Sequence, residues 1–265
     1  MKAFPRPPCK AFPLFRLFVQ VLLVLLLVSC GRGQGGVLEW DAERPVVQSE
    51  NGLYSYVSEN QESYQSALAL YGDLSAGLKE RGMANPDFAL AIVFPEMLRY
   101  SSARNIMELL ATKLVYSISP SFTGCTIGHF QMNVAFAETI ERYVGLSVSL
   151  KSKYPAIDFG GDNKGFGERY RRVGRINSAS EEADYLYAFI DICTDKFALG
   201  DLDDEARLVL LATAYNAGMS RSREELEQVS ELNSFPNGLN SPSSKWNYAT
   251  IALEFYQRQK EMESQ

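Results

Sequence analysis

The chain has 265 residues, with 26 Lys+Arg against 32 Asp+Glu and a formal charge of −6 at pH 7. An acidic balance argues against nucleic acid as a partner, and the single histidine, His129, has no companion His or Cys at ligand spacing, which argues against a metal centre. The length and a hydrophobic content of 46% suit one medium domain with a real core.

Lys2, Arg6, Lys10 and Arg16 open the chain without an acid among them, and a run from Leu17 to Val28, apolar but for Gln20, follows at once. This is the pattern of an export signal. The run is too short to span a bilayer, which takes roughly eighteen residues or more as a helix. It ends in Leu27-Val28-Ser29-Cys30, which resembles the bacterial lipobox, where the Cys is acylated and becomes the first mature residue. The expectation is a lipoprotein signal peptide over 1–29 and a lipidated Cys30 that anchors the protein to a membrane without spanning it. Ordinary signal cleavage near Ser29, with Cys30 incidental, is the alternative. Gly31 carries no evident signal for inner-membrane retention, so the outer membrane, facing the periplasm, is the expected location. Without the leader, 22 Lys+Arg face 32 Asp+Glu, a charge of about −10.

Residues 30–50 have a linker composition, Gly-Arg-Gly-Gln-Gly-Gly followed by polar sequence, and 51–265 read as the folded domain. Tyr64, Leu68, Tyr71 and Leu78 recur near helical spacing, and Gly82 closes that segment. Asn85 is a suitable N-cap with Pro86 at the first helical position, ahead of the apolar run Phe88 to Phe94 of a buried helix. Further helices are expected over Ala103 to Tyr116 and Ala135 to Val144. Lys151 to Arg175, rich in Gly, Lys and Arg, reads as a surface excursion. A capping box of Ser178 and Glu181 should open the next helix to Lys196, and Asp201 the one through Leu208 to Tyr215. Asn233 to Ser244 is loop, and a last helix carries Trp246, Tyr248, Ile251, Phe255 and Tyr256. Strand-like alternation is scarce, so the class is mainly α.

Among the carboxylates, Glu96 stands out. It ends an apolar helix and shares a face with Ile92 and Val93, and an apolar wall disfavours a carboxylate. Desolvation raises a carboxyl pKa and keeps a proton available for donation. Pro95, inside the helix, removes a backbone hydrogen bond and could kink the chain there. The alternative is a structural Glu96 paired with Arg99 or Arg104. Glu138, Glu141, Asp158 and Asp162 read as solvated charges. Cys125 and Cys193 remain as a possible disulfide in an exported protein, or Cys193 packs as a free thiol on the stripe of Leu186, Phe189, Ile190 and Phe197.

Three motifs follow one another: Glu96 at its helix end, Gly128-His129-Phe130-Gln131, and Ala214-Tyr215-Asn216-Ala217-Gly218. Together they resemble the lytic transglycosylases of the lysozyme superfamily, which cleave peptidoglycan. The resemblance implies a lysozyme-like helical domain with Glu96 as the catalytic acid and Gln131 as a polar contact to the sugar. It also implies that Phe130 supplies apolar surface to a pyranose ring and that Tyr215 and Asn216 orient the substrate. Asn247-Tyr248 resembles the Asn-Tyr at which the family places another cleft tyrosine. The implied partner is the glycan strand, with no metal or organic cofactor. The family generally has Ser after the acid, whereas this chain has Met97, and the gap from Glu96 to Gly128 is longer than usual. The rival readings are a hydrolytic muramidase and a catalytically idle glycan-binding lipoprotein.

Overall fold

The computed structural model describes residues 49–119, 125–158, 165–239 and 241–264. These lie within one compact unit, Glu43–Gln265; the leader, Cys30 and the linker as far as residue 48 lie outside the described residues. Helices dominate, as the sequence leads one to expect. In chain order they are α1 (Leu53–Glu59), α2 (Gln61–Glu80), α3 (Pro86–Arg99) and α4 (Ser102–Val115), then α5 (Val134–Leu146), α6 (Val148–Lys153), α7 (Phe166–Arg175) and α8 (Ala179–Lys196). The chain closes with α9 (Asp204–Ala217), α10 (Arg223–Ser230) and α11 (Tyr248–Glu263). Between α4 and α5 stands an antiparallel hairpin of β1 (Thr126–Ile127) and β2 (Met132–Asn133), with Ile127 opposite Met132.

Helix α3 is the centre of the fold. Asn85 adopts a left-handed conformation (φ 45°) and its side chain accepts from the Phe88 amide at 3.4 Å, so the helix starts where Pro86 costs no hydrogen bond. Every residue from Phe88 to Leu98 is buried. A helix that is apolar all round must be covered all round, and α2, α9 and α11 pack against it. Phe94 stacks on Phe255 of α11 with centroids 3.5 Å apart, and Phe88 meets Tyr256 edge-on at 5.6 Å. The helix runs through Pro95 to Arg99, so Glu96 sits buried in its last turn.

The two ends of the unit are joined by Glu254 of α11. This buried carboxylate accepts from the Leu53 amide at 2.6 Å, at the open N-terminus of α1, and from the Ser49 hydroxyl at 2.7 Å and amide at 3.2 Å. Four backbone donors are orphaned at any helix start, and α1 borrows its cap from the other end of the chain.

Several expectations need correction. Ser178 precedes α8 but its side chain caps nothing, and Asp203, not Asp201, caps α9 by accepting from the Ala206 amide at 2.8 Å. Lys151 to Arg175 is not all surface excursion: its last ten residues are α7, with Arg172 only 1% exposed. Glu141, expected in solvent, is 4% exposed and holds that arginine; Arg172 Nε donates to its Oε1 at 2.7 Å, Nη2 to its Oε2, and the Tyr185 hydroxyl to Oε1 at 2.8 Å. Burial works against the Arg172 charge, yet Glu141 keeps the guanidinium firmly protonated. Cys125 and Cys193 are free, not bridged. Cys193 belongs to the apolar stripe of α8 with Leu186 and Phe189, all three fully buried, and serves there as a small core residue.

Candidate active site

The last turn of α3 opens into a cavity of about 370 Å³. Glu96 and Arg99 form its base. Thr126, Gln131, Met132 and Asn133 of the hairpin, Phe136 of α5, Tyr215 and Asn216 of α9 and the Pro236-Asn237-Gly238 turn line the rest. The motifs far apart in sequence therefore meet: Glu96, Gln131, Tyr215 and Asn216 line one space.

Glu96 is 6% exposed. Burial pushes its carboxyl up to about 7, against the opposing influence of the Arg99 charge, the Tyr248 hydroxyl and the hydrogen bond from Arg99. Arg99 Nη1 donates to Glu96 Oε2 at 3.2 Å. The desolvation prevails because Glu96 ends the wholly buried run Phe88–Pro95 of α3 and is itself withdrawn from solvent. Tyr248, at the start of α11, is 1% exposed and lies behind Glu96, not among the residues lining the cavity. Its hydroxyl is close enough to favour the ionised Glu96, although it makes no hydrogen bond of ordinary geometry. The neighbouring Asn247 is a cap: it accepts from the Thr250 amide at 2.9 Å and donates to the Ser230 and Leu232 carbonyls at 2.6 and 3.1 Å.

Residues 128–131 make the turn of the hairpin, with Gly128 at φ 80° and Gln131 at φ 50°. The Gln131 amide accepts from the Thr126 hydroxyl at 2.9 Å and donates to the Gly128 carbonyl at 2.8 Å, so it locks the turn as well as lining the cavity. Phe130 corrects an expectation. It is 0% exposed and points into the core, where no sugar could reach it. Its carbonyl instead accepts from the Tyr215 hydroxyl at 2.7 Å, tying α9 to the hairpin. Apolar lining comes instead from Phe136, whose ring meets Tyr215 at 5.1 Å, with Met132 and Pro236. Asn216 Nδ2 donates to Ser234 Oγ at 2.7 Å and so braces the Pro236 turn.

Beneath the turn lies a carboxyl that the sequence does not single out. Glu182 of α8 is 0% exposed and bonds His129 Nδ1 at 3.0 Å. Burial raises the Glu182 carboxyl, while its hydrogen bond raises the imidazole against desolvation. His129 is thus held by that carboxyl on one side, and it stacks on Tyr100 at 5.0 Å. The Gly128 amide donates to Asn105 Oδ1 at 2.7 Å, so α4 holds the turn in place.

A Cβ on Gly128 would stand 1.2 Å from Glu182 Oε1 and 2.3 Å from the Ile176 carbonyl oxygen, at a positive φ that penalises any side chain. Gly128→Ala is therefore expected to cost at least about 1–3 kcal/mol from the backbone alone, and more from displacing a buried carboxylate. Urea titration followed by circular dichroism measures it; a loss under 0.5 kcal/mol would mean the turn is not held as described.

Among the described residues no group of three or more His, Cys, Asp and Glu is placed to hold a metal ion, and no helix is long and apolar enough to cross a membrane. Comparison with protein-family models, with curated proteins and with solved structures finds no match to this chain.

Phe136, Asn133 and the Pro236 to Gly238 turn escape a sequence reading because they belong to no motif. Arg99 is legible only as a partner of Glu96, three residues on in the same helix.

Proposed function

We propose that the domain is a peptidoglycan lytic transglycosylase of lysozyme-like type that cleaves the MurNAc–GlcNAc bond with Glu96 as its acid. The observation that carries this reading is a buried carboxyl with its pKa raised to about 7, facing a cavity whose lining, Arg99, Met132 and Pro236 apart, is amide, hydroxyl and aromatic. Such a carboxyl holds its proton about half the time at neutral pH, the condition under which one group serves well as acid and then as base. Glu96 donates its proton to the glycosidic oxygen as the C1–O bond breaks and GlcNAc leaves with its 4-hydroxyl restored. The resulting carboxylate takes the proton of the muramyl 6-hydroxyl, whose oxygen bonds C1 to close a 1,6-anhydro ring. No water is consumed, and Glu96 is protonated again at the end.

A hydrolase of the usual two-carboxylate type needs a second acid roughly 5–9.5 Å from the first. Glu96 is the one carboxylate among the described residues lining the cavity, which favours the anhydro product. The test is mass spectrometry of the glycan fragments released from purified sacculi. Fragments lighter by one water, ending in anhydro-muramic acid, support the reading; reducing ends would turn it into a muramidase. The Arg99 ion pair on Glu96 favours a second reading, a glycan-binding domain without turnover; tight binding to sacculi with no fragments released would select it.

The proposal includes the tether. A lipidated Cys30 on the outer membrane would keep the domain within reach of the glycan, and Leu27-Val28-Ser29-Cys30 supports it. Cys30→Ala should move the signal-cleaved protein from the membrane pellet to the soluble fraction; a cleaved variant that stays in the pellet would rule the anchor out.

A further inference from the structure

Arg99 is the single cation among the described residues that line the cavity, in a chain whose overall charge is negative. Its side chain is 30% exposed, and the bond from Nη1 to Glu96 at 3.2 Å is the one hydrogen bond it makes among the described residues. A guanidinium offers five N–H donors in a planar fork suited to gripping both oxygens of a carboxylate. Glu96 takes one of them. The cavity thus contains an under-used carboxylate-binding group in direct contact with the proposed acid.

We propose that Arg99 selects glycans bearing a carboxylate and that, on pairing with it, the guanidinium gives up Glu96, so that the acid is loaded with its proton when such a substrate is bound. The inference rests on the reading of the cavity as a glycan cleft. A two-point grip on an incoming carboxylate is stronger than the single bond to Glu96. Once Arg99 is neutralised by the ligand, its opposition to the effect of burial on Glu96 is removed. The other groups that sense the Arg99 charge are Glu108 of α4, Tyr56 of α1 and Tyr248 of α11, and Tyr215 of α9 faces Glu96; Arg104 of α4 acts on Glu108 and does not line the cavity. None of these supplies a competing cation there. Arg99 is a specificity and positioning residue in this scheme; Glu96 remains the group that transfers the proton.

The carboxylate could be the lactyl group of the muramyl sugar or the free end of a peptide attached to it. Three GlcNAc-MurNAc tetrasaccharides, thio-linked at the MurNAc–GlcNAc bond so that the enzyme leaves them intact, separate these sources: one with free lactyl carboxylates, one with them converted to methylamides, and one in which each carries an alanyl residue with a free carboxyl. Calorimetry with the full-length protein in detergent should show the best carboxylated probe binding about 10- to 100-fold tighter than the methylamide. Arg99→Gln should abolish that preference, and Arg99→Lys should keep part of it. In parallel, carbon-13 NMR of the Glu96 carboxyl should give a titration midpoint that rises when the carboxylated probe binds. In Arg99→Gln the midpoint should be high already and insensitive to the probe. Equal affinity for the three probes in the wild type, or an unchanged preference in Arg99→Gln, overturns the selectivity. A Glu96 midpoint that the probe leaves in place overturns the proton loading. Neither measurement requires turnover, so failure to find anhydro products would remove the lytic assignment while these results stood or fell separately.

Discussion

Glu96→Gln should lose cleavage by a factor of roughly 10² to 10⁴, the usual contribution of a general acid–base group, and should at the same time become more stable above neutral pH. The two effects share a cause. The folded state lifts this carboxyl from its ordinary 4.5 to about 7, mainly through burial. Between those values the folded protein holds a proton that the unfolded chain releases, so stability falls as pH rises through that window. Below pH 4.5 both states are protonated and nothing is lost; above about 7 the full penalty applies, on the order of 3 kcal/mol. Glutamine preserves the shape and does not titrate. The variant and the wild type should therefore unfold at similar urea concentrations at pH 4 and diverge by pH 8, with the variant the more stable. Undiminished cleavage by Glu96→Gln would sink the assignment of the acid. A stability gap that does not widen with pH would mean the carboxyl is not desolvated as described.

Glu141→Ala should be among the most destabilising single changes in the domain, costing about 3–5 kcal/mol. Its partner Arg172 is 1% exposed, and the bonds from Nε and Nη2 both end on the Glu141 carboxylate. Removing that carboxylate leaves a guanidinium that cannot lose its proton without its close counter-ion; the Tyr116 hydroxyl is neutral, and Glu138 at 3.2 Å is itself 40% exposed. The Tyr185 hydroxyl loses its acceptor as well. Removing both charges, as in Glu141→Leu with Arg172→Met, should recover much of the loss, because a packed apolar pair does not incur the cost of burying ions. Urea midpoints of the single and double variants decide the matter. A double variant no better than Glu141→Ala would show that the ion pair itself, and not the stranded charge, carries the stability.

What could be read from the sequence divides along physical lines. Helix α3 was legible because its signals are local: Asn85 and Pro86 mark the start, and an uninterrupted apolar run predicts burial. The same run makes Glu96 conspicuous. Gln131, Tyr215 and Asn216 lie in short motifs and arrive at the cavity. Phe130 was misplaced because the tight turn from Gly128 to Gln131, with positive φ at both ends, decides which way each side chain points, and residue order alone does not encode that. Phe136, one turn into α5, takes the place in the cavity wall expected for Phe130. The Glu141–Arg172 pair joins residues 31 positions apart, a separation at which neither helical spacing nor composition links an acid to a base. The Pro236 turn was legible as a turn, but not as part of a cavity lining.

Glu254 gives the domain a mechanical character. A pull on the chain preceding Ser49 passes along the backbone into α1, and the Ser49 and Leu53 bonds to this one carboxylate share part of it with α11. Helix α11 begins at Tyr248, directly behind Glu96. The helix that anchors the amino-terminal end of the domain is therefore also the one whose first residue adjoins the acid.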